Sequence, residues 1–245
     1  MTRKLHSQIK NHYVPQFLLR HWSNSRGMVE FSLPKQGNKR AMSDPESVCA
    51  QRGIYTDKVE TKLSELEGLV SQRWEQLFRE FGSKPSRNIL ALFLAVQWRR
   101  GPMEIQHCAN IRDQLWEFTK DHMPPSFFEE GSNFDLFNSQ ILDSTHEIAL
   151  HLAAKQWTVL NFRGVPVLET CDHPVVMIHP DKLHFGTRTK GTMTFFPATP
   201  SLGLLMTDPD DTGDKIEFMH PKFGEHLNKL TRRNAVQFLV TPPTR

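Results

Sequence analysis

The apolar residues of this chain change their spacing once, near residue 155, and that change restricts the fold more than any other feature of the sequence. In KVETKLSELEGLVSQRWEQLFREF (58–81), Val59, Leu63, Leu66, Val70, Trp74, Leu77 and Phe81 recur at intervals of three and four. That is the stripe of an amphipathic helix. RNILALFLAVQWRR (87–100) is apolar on nearly every side and predicts a central helix wrapped by others, capped by Ser86 and stopped at Gly101-Pro102. Residues 103–123 and about 135–155 continue the helical spacing, with PPSFFEEGSN (124–133) as a connection. Beyond them WTVLNF and VPVLET, parted by Arg163-Gly164, predict a hairpin. PVVMIH, TMTFFPAT, LGLLMT and AVQFLVT predict further strands, and PKFGEHLNKLTRRN (221–234) a short helix. Helices in one run and strands in another predict an α+β fold, with a helical layer packed on a mostly antiparallel sheet. The N-terminal segment joins that sheet: Pro15 opens FLLRHW as a short helix, and MVEFSL alternates like a strand.

The chain reads as a single domain of 245 residues, made of an N-terminal module (1–57), a helical part (58–155) and a strand-rich part (156–245). A chain of this length buries a sizeable core without disulfides or metal. Thirty Lys and Arg against 27 Asp and Glu give a net charge of +3, too small a bias to mark a nucleic-acid binder. Cys49, Cys108 and Cys171 are odd in number and far apart, which predicts neither a disulfide framework nor a zinc knuckle and fits a reducing cytoplasm. The N-terminal MTRKLHSQIKNHYVPQF has positive charge but no leader-length apolar core, and no later run has the roughly 18 apolar residues of a membrane span. Walker, GxGxxG, HExxH and GxSxG motifs are absent. His146 and His151 are five apart, off a common helical face, and His173, His179 and His184 lack zinc spacing.

Polar residues in apolar surroundings supply the candidate site. With Leu63 at zero and a helical 100° per residue, Glu67 falls at about 40° and Glu60 at about 60°, so both carboxylates border the buried stripe. Gln97 and Arg100 lie one turn apart at the end of the apolar helix. A buried guanidinium needs a partner: a carboxylate such as Glu67, or an anionic ligand in a cavity. His12 stands on an extended approach before Pro15, and Asp172 sits at a turn between two apolar strands, where an Asx-turn and a site acid are alternative readings.

HYVPQFLLRHW (12–22), GIYT (53–56), VETKLSELE (59–67), QWRRGP (97–102) and TCDHPVV (170–176) occur together and in order, followed by FFPATPSLGLLM and NAVQFLVT. In this combination the chain resembles a large, mainly bacterial group of uncharacterised domains known by its His-Tyr-Val-Pro signature. The resemblance implies a shared fold and recurring polar positions that fall on His12, Gln16, Arg20, Glu67, Gln97, Arg100 and Asp172. The group's usual Ser-Asp-Asn-Pro stands here as Cys171, Asp172, His173 and Pro174. No reaction comes with the likeness.

The expected function is phosphodiester cleavage, a nuclease acting on nucleic acid, foreign nucleic acid included. His12 would be the general base or acid, and Arg100 would grip the phosphate bidentately. Asp172 with Glu67 would orient His12 or hold Mg or Mn, while Gln16, Arg20 and Gln97 stand behind. Two other classes compete: a non-catalytic module in which Arg20 and Arg100 bind an anionic ligand or nucleotide, and a structural or interaction protein with a satisfied polar network. An open cleft joining His12 to Asp172 favours chemistry. A closed, fully paired cluster favours structure, and an arginine-lined pocket without a poised histidine favours ligand binding.

Overall fold

The computed structural model describes residues 10–119, 121–122 and 130–243. In chain order the elements are β1 (Lys10–His12), α1 (Gln16–Arg20), β2 (Val29–Leu33), β3 (Lys39–Ser43), β4 (Ala50–Arg52), and the helices α2 (Asp57–Arg79), α3 (Lys84–Arg99), α4 (Pro102–Thr119) and α5 (Glu130–Ala153). Then come β5 (Gln156–Asn161), β6 (Thr170–Cys171), β7 (Val176–Ile178), β8 (Met193–Thr199), β9 (Leu202–Thr207), β10 (Lys215–Phe218), α6 (Pro221–Asn234) and β11 (Leu239–Val240). The fold is α+β, as the spacing predicts.

The strands form more than one sheet. β1 pairs with β4; a four-stranded sheet runs β3-β2-β11-β6, and a five-stranded sheet runs β10-β5-β9-β8-β7. The four-stranded sheet joins N-terminal to C-terminal strands, and all its pairs are antiparallel. In the larger sheet β10 runs parallel to β5.

Helix boundaries follow local chemistry. α2 begins after Thr56, whose hydroxyl accepts from the Val59 N–H, and it buries Val59, Leu63, Val70, Trp74, Leu77 and Phe78. α3 begins three residues earlier than a Ser86 cap allows: Ser83 holds the capping position, Pro85 lies in the first turn, and Ser86 is buried inside the helix. The helix packs against α5 and α2, with Leu90, Ala91, Phe93, Leu94, Ala95 and Val96 buried. α3 stops at Gly101, as expected, and Pro102 opens α4. The connection expected at 124–133 lies partly outside the described residues, and from Glu130 onward the chain is helical. Trp74 joins the layers, its ring 5.4 Å from Phe17 of α1, 5.9 Å from Phe93 of α3 and 6.4 Å from Phe196 of β8.

The expected hairpin between WTVLNF and VPVLET does not form. β5 is bracketed by β9 and β10, so neither of its edges is open to the segment that follows. Arg163 (φ 53°) and Gly164 (φ 76°) turn the chain away, and the Val167 and Leu168 N–H groups both donate to the Pro200 carbonyl at 2.8 Å. Thr170–Cys171 then enters the other sheet beside β11. The run of buried residues from Gln156 to Leu160 is the mark of a strand covered on both faces. AVQFLVT shrinks to a two-residue strand because the Asp172 carboxylate accepts from the N–H groups of Val236 and Gln237.

Gly101 marks the tightest crossing. A side-chain carbon there would stand 2.3 Å from His173 Nδ1 and 3.3 Å from the Asp172 carbonyl oxygen, so the α3–α4 junction and the 170–174 turn touch backbone to ring. Gly101→Ala is expected to destabilise the protein by about 1–3 kcal/mol in urea titration. Because the obstacle is the imidazole, the loss in Gly101→Ala/His173→Ala should fall below the sum of the two single losses.

Candidate functional site

The Arg100 side chain is completely buried at the C-cap of α3. Its Nε donates to the Tyr13 carbonyl at 2.8 Å and its Nη1 to Glu67 Oε1 at 2.5 Å. The Gln97 amide oxygen, in the orientation that satisfies both groups, accepts from Nε at 2.9 Å and Nη2 at 2.8 Å. A single cation thus joins the N-terminal segment to α2 and α3. The phosphate grip expected of Arg100 is not on offer, because its nitrogens are turned inward and held by protein acceptors. Glu67 keeps 27% of its side chain exposed, so the pair has one sealed end and one that meets solvent.

Around this pair the chain is pinned by amides. Asn11 is buried; its Nδ2 donates to Glu60 Oε2 at 2.8 Å while its Oδ1 accepts from the N–H groups of Ile54 (3.1 Å) and Tyr55 (3.4 Å). Asn138 of α5 bonds the same loop, accepting from the Thr56 N–H and donating to the Ile54 carbonyl. Burial raises the Glu60 pKa above the ordinary carboxylate value, partly offset by the Asn11 hydrogen bond and reinforced by the Glu67 charge. Half-buried His12 directs Nε2 at the Glu46 carbonyl, 2.9 Å away. A carbonyl only accepts, so the proton sits on Nε2 and Nδ1 is left as the acceptor. Burial lowers the His12 pKa, against the opposing effects of the Glu46 hydrogen bond and the nearby Glu67 carboxylate.

Asp172 has a different set of partners, all of them backbone. Its Oδ1 and Oδ2 accept from the N–H groups of Val236 (2.9 Å) and Gln237 (2.6 Å), and its own N–H donates to the Phe238 carbonyl at 3.1 Å. Burial raises its pKa, and those backbone N–H groups pull it back. Tyr13 reaches this side, its hydroxyl donating to Gln237 Oε1 at 3.4 Å, while the His12 ring bonds the Glu46 carbonyl. Gln16 and Arg20 form a third location on α1, hydrogen-bonded to each other at 3.2 Å. By their contacts the candidate residues divide into Glu67–Gln97–Arg100, His12 on the Glu46 carbonyl, Asp172 with the 236–238 backbone, and Gln16–Arg20. Among the described residues no group of three or more His, Cys, Asp or Glu side chains is gathered to hold a metal ion.

Arg20 borders a hollow of about 550 Å³ between α1 and α2, which also includes Phe17, His21, Arg73, Trp74, Glu75 and Arg79. Arg87, Arg99, Arg100, Arg188 and Arg232 each meet a carboxylate. Among the described residues Arg20, Arg73 and Arg79 meet none. The His21 ring stacks on Trp74 at 5.8 Å and 26°, and burial lowers its pKa against the pull of Glu75. Arg73 and Arg79 carry no distinguishing mark in the sequence, since a charged residue on the outer face of an amphipathic helix looks solvated until α1 docks beside it.

These observations define a class: an α+β domain whose helices are tied to its N-terminal segment by a sealed, paired arginine. The chain belongs to the family described as "Protein of unknown function (DUF4238)", whose model matches residues 10–244. No curated protein and no solved structure matches it.

His173 is buried against Gly101, with no partner for Nδ1 among the described residues, and burial lowers its pKa to about 4. It is neutral in the fold, whereas the unfolded chain takes up the proton below about 6.5. Its stabilising contribution is therefore complete above pH 6.5 and is lost as pH falls to about 4. At roughly 1.4 kcal/mol per pH unit, the loss is on the order of 3 kcal/mol. Urea midpoints measured across that range should decline more steeply for wild type than for His173→Asn; equal slopes would remove His173 as the cause.

Proposed function

We propose that this domain binds an anionic ligand in the hollow between α1 and α2. The observation that carries the reading is the set of three guanidiniums, on Arg20, Arg73 and Arg79, that border one concavity and, among the described residues, meet no carboxylate. Unpaired arginines converging on a concave surface favour phosphate or carboxylate groups, which accept two parallel N–H bonds from each fork. The sealed Arg100 network then serves as the frame that holds α2 in place. Pyrophosphate is the simplest probe. In calorimetric titration it should bind wild type, more weakly as salt is raised, and Arg20→Ala and Arg79→Ala should each lose about tenfold in affinity. Both side chains are exposed, so the melting temperature of the unliganded protein should barely move. Absence of any pyrophosphate binding at low salt rejects the reading.

Phosphodiester cleavage is the second reading, favoured by the Nδ1 acceptor of His12, whose proton affinity the Glu67 carboxylate raises. In it His12 is the general base, Glu67 polarises the ring or the attacking water, and Arg100 positions Glu67 without touching phosphate. Nucleic acid is then the substrate, and the α1–α2 hollow the place where its backbone is gripped. A cytoplasmic setting suits either reading, since Cys49, Cys108 and Cys171 are all free and buried. Among the described residues no helix is long and apolar enough to cross a membrane. Purified protein, incubated with RNA and DNA in the presence or absence of magnesium or manganese, should cleave at least one of them, and His12→Ala should abolish the cleavage with little change in melting temperature. Identical behaviour of wild type and variant under every condition rules this reading out.

A further inference from the structure

We infer that the ligand of the α1–α2 hollow is a nucleoside phosphate; this rests on the anion-binding reading and adds to it the organic part of the ligand. Size is the first argument. At about 550 Å³ the hollow far exceeds what an inorganic anion fills and falls in the range of sites that enclose small organic molecules.

The lining is the second argument. Beside the guanidiniums of Arg20, Arg73 and Arg79 stand the aromatic rings of Phe17, His21 and Trp74, so charge and flat apolar surface meet in one concavity. His21 belongs with the rings and not with the cations, because burial favours its neutral form and it lies stacked on Trp74. A ligand that uses both halves carries phosphate at one end and a planar ring at the other.

Trp74 supplies the third argument, and it is independent of the charges. The side chain is 94% buried, since only 6% of it is exposed, and its Nε1–H has no acceptor among the described residues. The buried Nε1–H groups of Trp22 and Trp157 behave otherwise, each donating to a backbone carbonyl at 2.8 Å. The donor belongs to a residue that lines the hollow but is itself sealed from solvent, so a ring nitrogen or a carbonyl of a base satisfies it once the Phe17 and His21 rings packed on Trp74 shift. Glu75 offers the complementary acceptor, suited to ribose hydroxyls or an exocyclic amine, and an isolated carboxylate among three arginines is out of place in a site for bare phosphate.

The ionisable groups facing the hollow from both elements are Arg20 and the neutral His21 on the α1 side and Arg73, Glu75 and Arg79 on α2. They do not balance, and the excess is positive. Phosphate satisfies that excess, while the sugar and base engage Glu75 and the rings.

The experiment compares pyrophosphate, ADP and adenosine by calorimetry on the intact chain, with tryptophan fluorescence as a second readout. ADP is expected to bind at least tenfold more tightly than pyrophosphate and to change the fluorescence, with adenosine weaker than both. Glu75→Gln should reduce the ADP preference several-fold while pyrophosphate binds as well or better, because a repelling charge has gone and an acceptor with it. Trp74→Phe keeps the ring and removes the donor, so it should also narrow the ratio; should it fail to fold, the exposed Glu75 still decides. Equal affinity for ADP and pyrophosphate overturns the nucleoside inference and leaves the anion reading standing. Adenosine binding as tightly as ADP overturns both, because phosphate recognition is then absent, and no binding of any of the three does the same.

Discussion

A guanidinium with no access to water determines how the N-terminal half of this protein is put together. Arg100 cannot lose its proton, and an unpaired charge at that depth would cost several kcal/mol. Every acceptor around it therefore has to arrive together: the Tyr13 carbonyl from the segment before α1, Glu67 from the middle of α2, and Gln97 from the turn of α3 just before it. Once those acceptors are in place, the directions of α2 and α3 and the path of the chain into α1 are no longer independent. Asn11 and Asn138 extend the same logic to the loop before α2, holding its backbone from one side and the other.

That frame separates structure from exposed chemistry. His12 and Tyr13 are neighbours in sequence, yet the His12 ring bonds the Glu46 carbonyl while the Tyr13 hydroxyl donates to Gln237, whose N–H the Asp172 carboxylate holds. Asp172 is a clamp on the approach to β11, and its carboxylate occupies backbone N–H groups that a longer strand would have used. The α1–α2 hollow lies further along the same helix that holds Glu67, so α2 meets the paired Arg100 in its middle and lines the hollow in its last turns. Stability asks for satisfied charges in the first location, and binding needs unsatisfied ones in the second.

Part of the site was legible because burial chemistry is local in its logic. An arginine at the end of an apolar helix and a glutamate on the flank of an apolar stripe each demand a partner, and the Glu67–Arg100 pair follows from that demand. The same logic could not place Asp172, since an acid at a turn serves backbone amides as readily as a histidine, and the N–H groups it holds come from a segment more than sixty residues away. Nor could it show that Trp74 Nε1 lacks an acceptor while those of Trp22 and Trp157 find carbonyls, because each outcome depends on a residue far away in the chain.

By itself the sequence determined the α+β class, the stripes of α2 and α3, the break at Gly101-Pro102, the extent of α6 and the pairing demand of Arg100. These follow from periodicity, backbone stereochemistry and the cost of burying charge, all of which act within a few turns of chain. The tertiary structure alone decided that β5 lies between β9 and β10 instead of folding back on its successor, that the strands divide into separate sheets, and that Arg20 comes to rest beside Arg73 and Arg79. Strand pairing and the meeting of two helix surfaces depend on edges and faces supplied by distant segments, and a hydrophobic pattern specifies which face is buried without specifying what it is buried against.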